Sequence, residues 1–191
     1  MTIQPIPHTP VAPNAVPPQP VAPGAALVVR QATAADAAAI HQLIAQNLQA
    51  GHLLPRTLAD VTAHASRFAI VTGEAGLVAC GELAPLNAAV AEVRSLVVRD
   101  GVRGMGVGHT VVDELRRRAR AGRYRTLCAF THDPRFFVRL GFSIVPHTWL
   151  PEKVAADCWS CPLFQTCGQY AVVDMRLGRQ VMPSLSQEQL S

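Results

Sequence analysis

The stretch Val98–Leu115, VRDGVRGMGVGHTVVDEL, decides the fold. It passes from a β-branched segment through Gly101, Gly104, Gly106 and Gly108 into an amphipathic stretch rich in acids and arginines. Glycines let main chain approach a ligand closely, and the amides at a helix start face outward at the positive end of the dipole. The pattern therefore predicts a bound anion, phosphate first.

Working outward, Val107, Val111, Val112, Leu115 and Ala119 form the apolar side of a helix over Gly106–Ala121. Three strand-like runs precede the loop: Arg67–Thr72, Leu77–Leu86 and Ala88–Val98, the first two joined by a Gly73–Gly76 turn. Before them, a short strand Leu27–Arg30 leads into a helix capped by Thr33 with Asp36 three residues on, and a second helix starts after Thr57 with Asp60 in its first turn. After the loop helix come a strand Arg125–Thr131, a helix opened by Asp133-Pro134, a strand after Gly141, an irregular segment 147–169 and a last strand Tyr170–Leu177. The order βαα-βββ-αβ-αβ-β has too many consecutive strands for a doubly wound parallel sheet. It predicts an α/β (α+β) fold with a mixed, mainly antiparallel central sheet and flanking helices. A dinucleotide fingerprint would place its glycines after the first strand of a βαβ unit, and a Walker loop would need Gly-Lys-Ser/Thr where this chain has His109-Thr110. Neither fits.

What remains, Arg103-Gly-Met-Gly106-Val-Gly108, resembles the Arg/Gln-x-x-Gly-x-Gly/Ala loop of the GNAT (GCN5-related) N-acetyltransferase superfamily. Phe136-Phe-Val-Arg-Leu-Gly-Phe142 is similar to the family's Phe-Tyr-x-x-x-Gly-Phe ending. Three further features resemble the short, free-standing bacterial N-acetylglutamate synthases. They are His52-Leu-Leu-Pro-Arg56, Ala91-Glu-Val-Arg-Ser-Leu96, and Leu150-Pro-Glu-Lys-Val154 followed by Asp157-Cys-Trp-Ser-Cys-Pro162. The resemblance implies a GNAT fold with a bulged long strand and acetyl-CoA as co-substrate. Its pyrophosphate would lie on the amides of Arg103, Gly104, Met105, Gly106, Val107, Gly108 and His109, and its pantetheine arm would pair with Leu96, Val97 and Val98 like an added strand. It further implies acetyl transfer to the α-amine of L-glutamate, the first step of arginine biosynthesis, and a homodimer by analogy.

Acetylating glutamate requires seats for two carboxylates, a neutral amine and stabilisation of an oxyanion. Arg56, Arg94 and Lys153 are the candidate carboxylate holders; for each the alternative is a surface ion pair. Strand alternation puts Glu92, Arg94 and Leu96 on one face and Val93, Ser95 and Val97 on the other, unless a bulge intervenes. Glu92 could accept the amine's proton, directly or through water, or serve only as a structural partner of Arg94. The Leu96 amide, freed by a bulge as in the family, would face the oxyanion. The tyrosine with which many relatives protonate the leaving thiolate falls at Phe137, which has no proton to give.

The 191 residues, 49% hydrophobic and 16% charged, suit one domain, expected over 27–177. Residues 1–26 hold eight of the fifteen prolines and no charged side chain, which predicts a disordered leader, and 178–191 reads as a flexible tail. No apolar run is long enough to span a membrane and no signal peptide is apparent, so a cytoplasmic protein is expected. The net charge of +4 gathers at Arg116, Arg117, Arg118, Arg120, Arg123 and Arg125 without interleaved aromatics, a solvated helix face rather than a nucleic-acid surface. Of five cysteines, Cys80 and Cys128 fall in strands and read as core. Cys158, Cys161 and Cys167 could supply three thiolates to zinc with Asp157 or His147 as fourth ligand, although one Cys-x-x-Cys pair is half the usual pattern. Two rival functions stay open. One keeps the fold with another small amine as acceptor; the other is a non-catalytic CoA- or zinc-binding regulatory module.

Overall fold

The structure, a computed structural model, describes residues 26–48, 53–74, 76–161 and 164–177. The leader and tail expected at 1–26 and 178–191 lie outside the described residues, apart from Ala26.

Seven strands form one sheet in the order β1-β2-β3-β4-β5-β7-β6. They are β1 Val28–Gln31, β2 Phe68–Gly73, β3 Gly76–Pro85, β4 Val90–Val98, β5 Thr126–Thr131, β6 Phe142–Val145 and β7 Tyr170–Asp174. Every pairing is antiparallel except β4 with β5. The mixed, mainly antiparallel sheet expected from the strand order is therefore present, because three consecutive strands joined by short turns can only pair as a meander. Among the described residues no helix is long and apolar enough to cross a membrane.

Helices α1 Ala37–Gln46 and α2 Leu58–Ala63 cover one face of the sheet, burying Ile40, Leu43, Ile44 and Val61 with Phe68, Ile70, Cys80 and Val97. Thr57 caps α2 by accepting from the Asp60 amide at 3.1 Å, as its spacing predicted. Helix α3 Val107–Ala121 covers the other face with Val111, Val112, Leu115 and Ala119, all with no measurable exposure, the two valines and the leucine each contributing about 1.5–3 kcal/mol by burial. Its approach to β3 sets a size limit at Gly81, where a Cβ would stand 2.8 Å from the Val111 side chain. Helix α4 Pro134–Arg139 closes the same side, capped by Asp133 and with Phe137 buried beneath it.

One buried ion pair ties α3 to β7, the strand beside the sheet's β6 edge. The Arg116 guanidinium, 5% exposed, donates to Asp174 of β7, to Asp113 and, at 3.0 Å, to the Leu140 carbonyl, and lies 5.5 Å from the Phe142 ring. On the outer side of α3, Glu114 accepts from Arg117 at 2.7 and 2.8 Å and from Arg118 at 2.7 Å. The Arg117 and Arg118 guanidinium groups hold the Glu114 carboxyl down from 4.5 to about 2. Folding therefore favours the ionised form, and the resulting stability is whole above pH 4.5 and is lost as the pH falls towards 2. Glu114→Gln should flatten the decline of melting temperature in that window; an unchanged acid limb would mean that the pair contributes nothing.

The segment expected to be irregular, 147–169, holds a helical turn α5 at Pro151–Lys153 that continues into a π-helical turn at Val154–Cys158. Burial pushes the thiols of Cys80 and Cys128 up to about 12, as befits core cysteines.

Candidate active site

Strand β4 is interrupted at the point where the site begins. Its register with β3 runs Cys80↔Val97 and then Glu82↔Arg94, so Ser95 and Leu96 together stand opposite Gly81. Ser95 takes φ +48°, outside the extended region, and the extra residue shifts the phase of alternation. This corrects the plain alternation: Leu96 packs on the α3 side with Val93, whereas Val97 joins the α1 side. On the other flank, the parallel pairing of β4 with β5 ends at Val93↔Ala129, although β4 runs on to Val98 and β5 to Thr131. A cleft of about 1160 Å³ is lined by both unpaired ends, by the glycine loop and by α4.

The loop residues Arg103, Gly104, Gly106, Val107, Gly108 and His109 line this cleft, as do Leu96, Val97 and Val98. Met105 does not, and its side chain is 57% exposed. Gly104 and Gly106 both take φ +80°, with open space where a Cβ would stand, so the left-handed conformation and not crowding selects glycine there. Gly106 is the N-cap of α3, a 15-residue helix whose first amides have no intrahelical partners. Arg103 folds back against the loop, donating to the Val98 carbonyl at 3.1 Å and to Asn47 at 2.9 Å. An open, glycine-shaped turn at a long helix's positive end fits a pyrophosphate.

At the other end of the cleft the structure gathers Arg56, Arg94 and Lys153, drawn from three separated segments. Glu92, 3% exposed, is the shared partner of two of them: Arg94 Nε donates to it at 2.5 Å and Lys153 Nζ at 2.9 and 2.8 Å. Asp157 accepts from both Arg94 and Lys153, the latter at 2.9 Å. Burial works against the Arg94 charge, but the carboxylates of Glu92, Asp157 and Glu82 more than offset it and hold Arg94 above the ordinary arginine value. Lys153 also sits 5.2 Å from the Phe130 ring.

A second cationic group adjoins the first. Glu82, 1% exposed and the register partner of Arg94, accepts from Arg56 at 2.8 Å, with Arg67 3.9 Å away and Asp60 3.5 Å from Arg56. Sequence reasoning singled out neither Arg67 nor Glu82. The signal for Glu82 was available, since it is the one charge within the otherwise apolar run Val78–Ala84.

The cysteine segment departs from the zinc reading. Among the described residues no three His, Cys, Asp or Glu side chains are gathered to hold a metal, and Cys158, Cys161 and Cys167 form no disulfide. Asp157, weighed as a ligand beside them, is spent on Arg94 and Lys153, and His147 stacks on Phe130 at 5.4 Å. Burial pushes the Cys158 thiol up from its ordinary value. Phe137, in the position of the relatives' tyrosine, is 5% exposed and packs edge-on against Phe136 and Phe142.

Comparison with known proteins agrees with this architecture. Residues 37–142 match the acetyltransferase (GNAT) family. The chain is 27% identical over 151 residues to an uncharacterised N-acetyltransferase of Chlorobaculum tepidum, covering 79% of this chain and 97% of that protein. It is 31% identical over 131 residues to an amino-acid acetyltransferase of Mycobacterium tuberculosis, covering 66% of this chain and 74% of the relative. Among solved structures, N-acetylglutamate synthase from Neisseria gonorrhoeae, complexed with coenzyme A and N-acetyl-glutamate, superposes with TM-score 0.69 at 25% identity. That match covers 80% of this chain, which spans 35% of the synthase's length. The chain belongs to the acetyltransferase (GNAT) family and is an acetyl-CoA-dependent N-acetyltransferase.

Proposed function

We propose that the acceptor is the α-amine of L-glutamate, which makes the protein an amino-acid N-acetyltransferase at the entry to arginine biosynthesis. The observation that carries this reading is the presence of two pairs of cations, Arg94 with Lys153 and Arg56 with Arg67, linked through the Glu82↔Arg94 register pair. A dicarboxylate needs two such seats; a polycation would need the reverse.

In this reading the amides from Arg103 to His109 hold the pyrophosphate of acetyl-CoA, and Leu96 to Val98 pair with its pantetheine arm. The acceptor amine attacks the thioester carbonyl, a C–N bond forms, the C–S bond breaks, and the thiolate leaves without a covalent acyl-enzyme. The bulge supports a role for the Leu96 amide at the developing oxyanion, since the residue stands in the stretch where two β4 residues oppose one on β3. Glu92 already accepts from two cations, so its first task is to fix Arg94 and Lys153; a water on its carboxylate relays the ammonium proton. With Phe137 in place of a tyrosine, water protonates the thiolate.

Purified protein incubated with acetyl-CoA and a panel of amino acids and polyamines, with free thiol followed over time, tests the reading. Glutamate should give the largest kcat/KM. Equal rates across the panel would remove the glutamate assignment and leave the transferase.

A further inference from the structure

Arg94 and Lys153 are not idle while they wait for an acceptor. Each holds two carboxylates of very different kinds. Glu92 is 4% exposed at its side chain and anchored in β4. Asp157 is 38% exposed, and no side chain other than Arg94 and Lys153 donates to its carboxylate among the described contacts. It rides on the π-helical turn Val154–Cys158, and such turns recur at functional sites. Among the described residues the three hydrogen bonds of the Lys153 ammonium all go to these two carboxylates. The only seat on this cation pair that can be vacated cheaply is the one Asp157 occupies.

Taking the acceptor reading above as given, we propose that Asp157 is a specificity-determining residue, an internal carboxylate that fills the acceptor's carboxylate seat until an acceptor displaces it. With Asp157 in place, two cations face two anions and the group is neutral, so a further carboxylate gains nothing. Once Asp157 turns out to solvent, the group carries a net positive charge and two freed donors aimed at one point. An uncharged or cationic side chain cannot compete for that point, whereas a carboxylate replaces Asp157 nearly like for like. The device therefore selects acidic acceptors through exchange, at the cost of affinity. This differs from a scaffolding role, in which Asp157 holds the two cations in place and its loss weakens acceptor binding.

The two roles predict opposite signs. In Asp157→Asn the competing charge is gone, and the KM for L-glutamate should fall by about two- to fivefold, the range of a half-exposed ion pair. The KM for acetyl-CoA should not move, and Asp157→Glu, which keeps the charge, should stay close to the parent. Asp157→Ser, measured beside Asp157→Asn, separates loss of charge from a defect peculiar to the amide. Titration calorimetry with glutarate, which carries two carboxylates and no amine, reads the same seat without acetyl transfer and should show tighter binding to both uncharged variants. An unchanged or raised glutamate KM together with equal or weaker glutarate binding would overturn the proposal. If the parent protein acetylates other amines but not glutamate, the acceptor reading fails on that result alone, and glutarate binding still decides the role of Asp157.

Discussion

Replacing Arg94 with Met should raise the KM for the carboxylate-bearing acceptor by about thirtyfold or more while leaving the KM for acetyl-CoA within about twofold. Losing a partly desolvated, charge-assisted contact to a carboxylate costs about 2–5 kcal/mol. Arg94 lies at that level because its side chain is only 27% exposed and already spans Glu92 and Asp157. Arg94→Lys should recover little, since a single ammonium cannot reproduce a guanidinium that reaches Glu92 through Nε and Asp157 through Nη2. Steady-state kinetics in both substrates, with a melting curve for each variant, separates the outcomes. Parallel losses in both KM values would mean that Arg94 supports the whole cleft and not the acceptor end.

The largest effect on stability should come from a residue far from the chemistry. Asp174→Ala leaves the Arg116 charge buried, with only the half-exposed Asp113 carboxylate and the Leu140 carbonyl for company. Breaking one side of a buried pair costs about 3–5 kcal/mol. For a chain of this size that lowers the melting temperature by about 10 °C. The double change Arg116→Met with Asp174→Leu removes both charges and should recover most of that loss, because an apolar pair of similar volume has no desolvation to offset. A single variant that melts within about 2 °C of the parent would show that water reaches Arg116 once Asp174 is gone.

Much of the fold was legible along the chain, and for a definite reason. The longer helices α1 and α3 carry apolar stripes and the strands are apolar runs bounded by turn residues, so local periodicity and caps such as Thr57 with Asp60 identify them. The bulge was not legible in the same way. No glycine marks Ser95, which takes a positive φ with an ordinary side chain, and a two-for-one pairing moves every later residue of β4 to the opposite face. The charged groups of the cleft were legible as candidates but not as partners. Lys153 meets Glu92 across 61 positions and Arg94 meets Asp157 across 63, and no local pattern records such a meeting. Asp157 was misjudged because it adjoins Cys158 in the chain, which suggested a metal ligand, whereas its fourth neighbour back is Lys153.

The two halves of the cleft differ in how they are written into the chain. The donor half comes from one continuous passage, bulge, loop and helix start, whose work is done by backbone amides and glycine conformations. The acceptor half is assembled from side chains just before α2 and β2, on β3 and β4, and on α5 and the turn after it. A substitution in the first half must respect main-chain geometry, so most changes there are lost. A substitution in the second changes one tooth of a key whose other teeth stay in place. Acceptor choice can therefore drift by single steps while the donor stays constant, and acceptor preference should diverge among relatives sooner than the loop Arg103–His109 does.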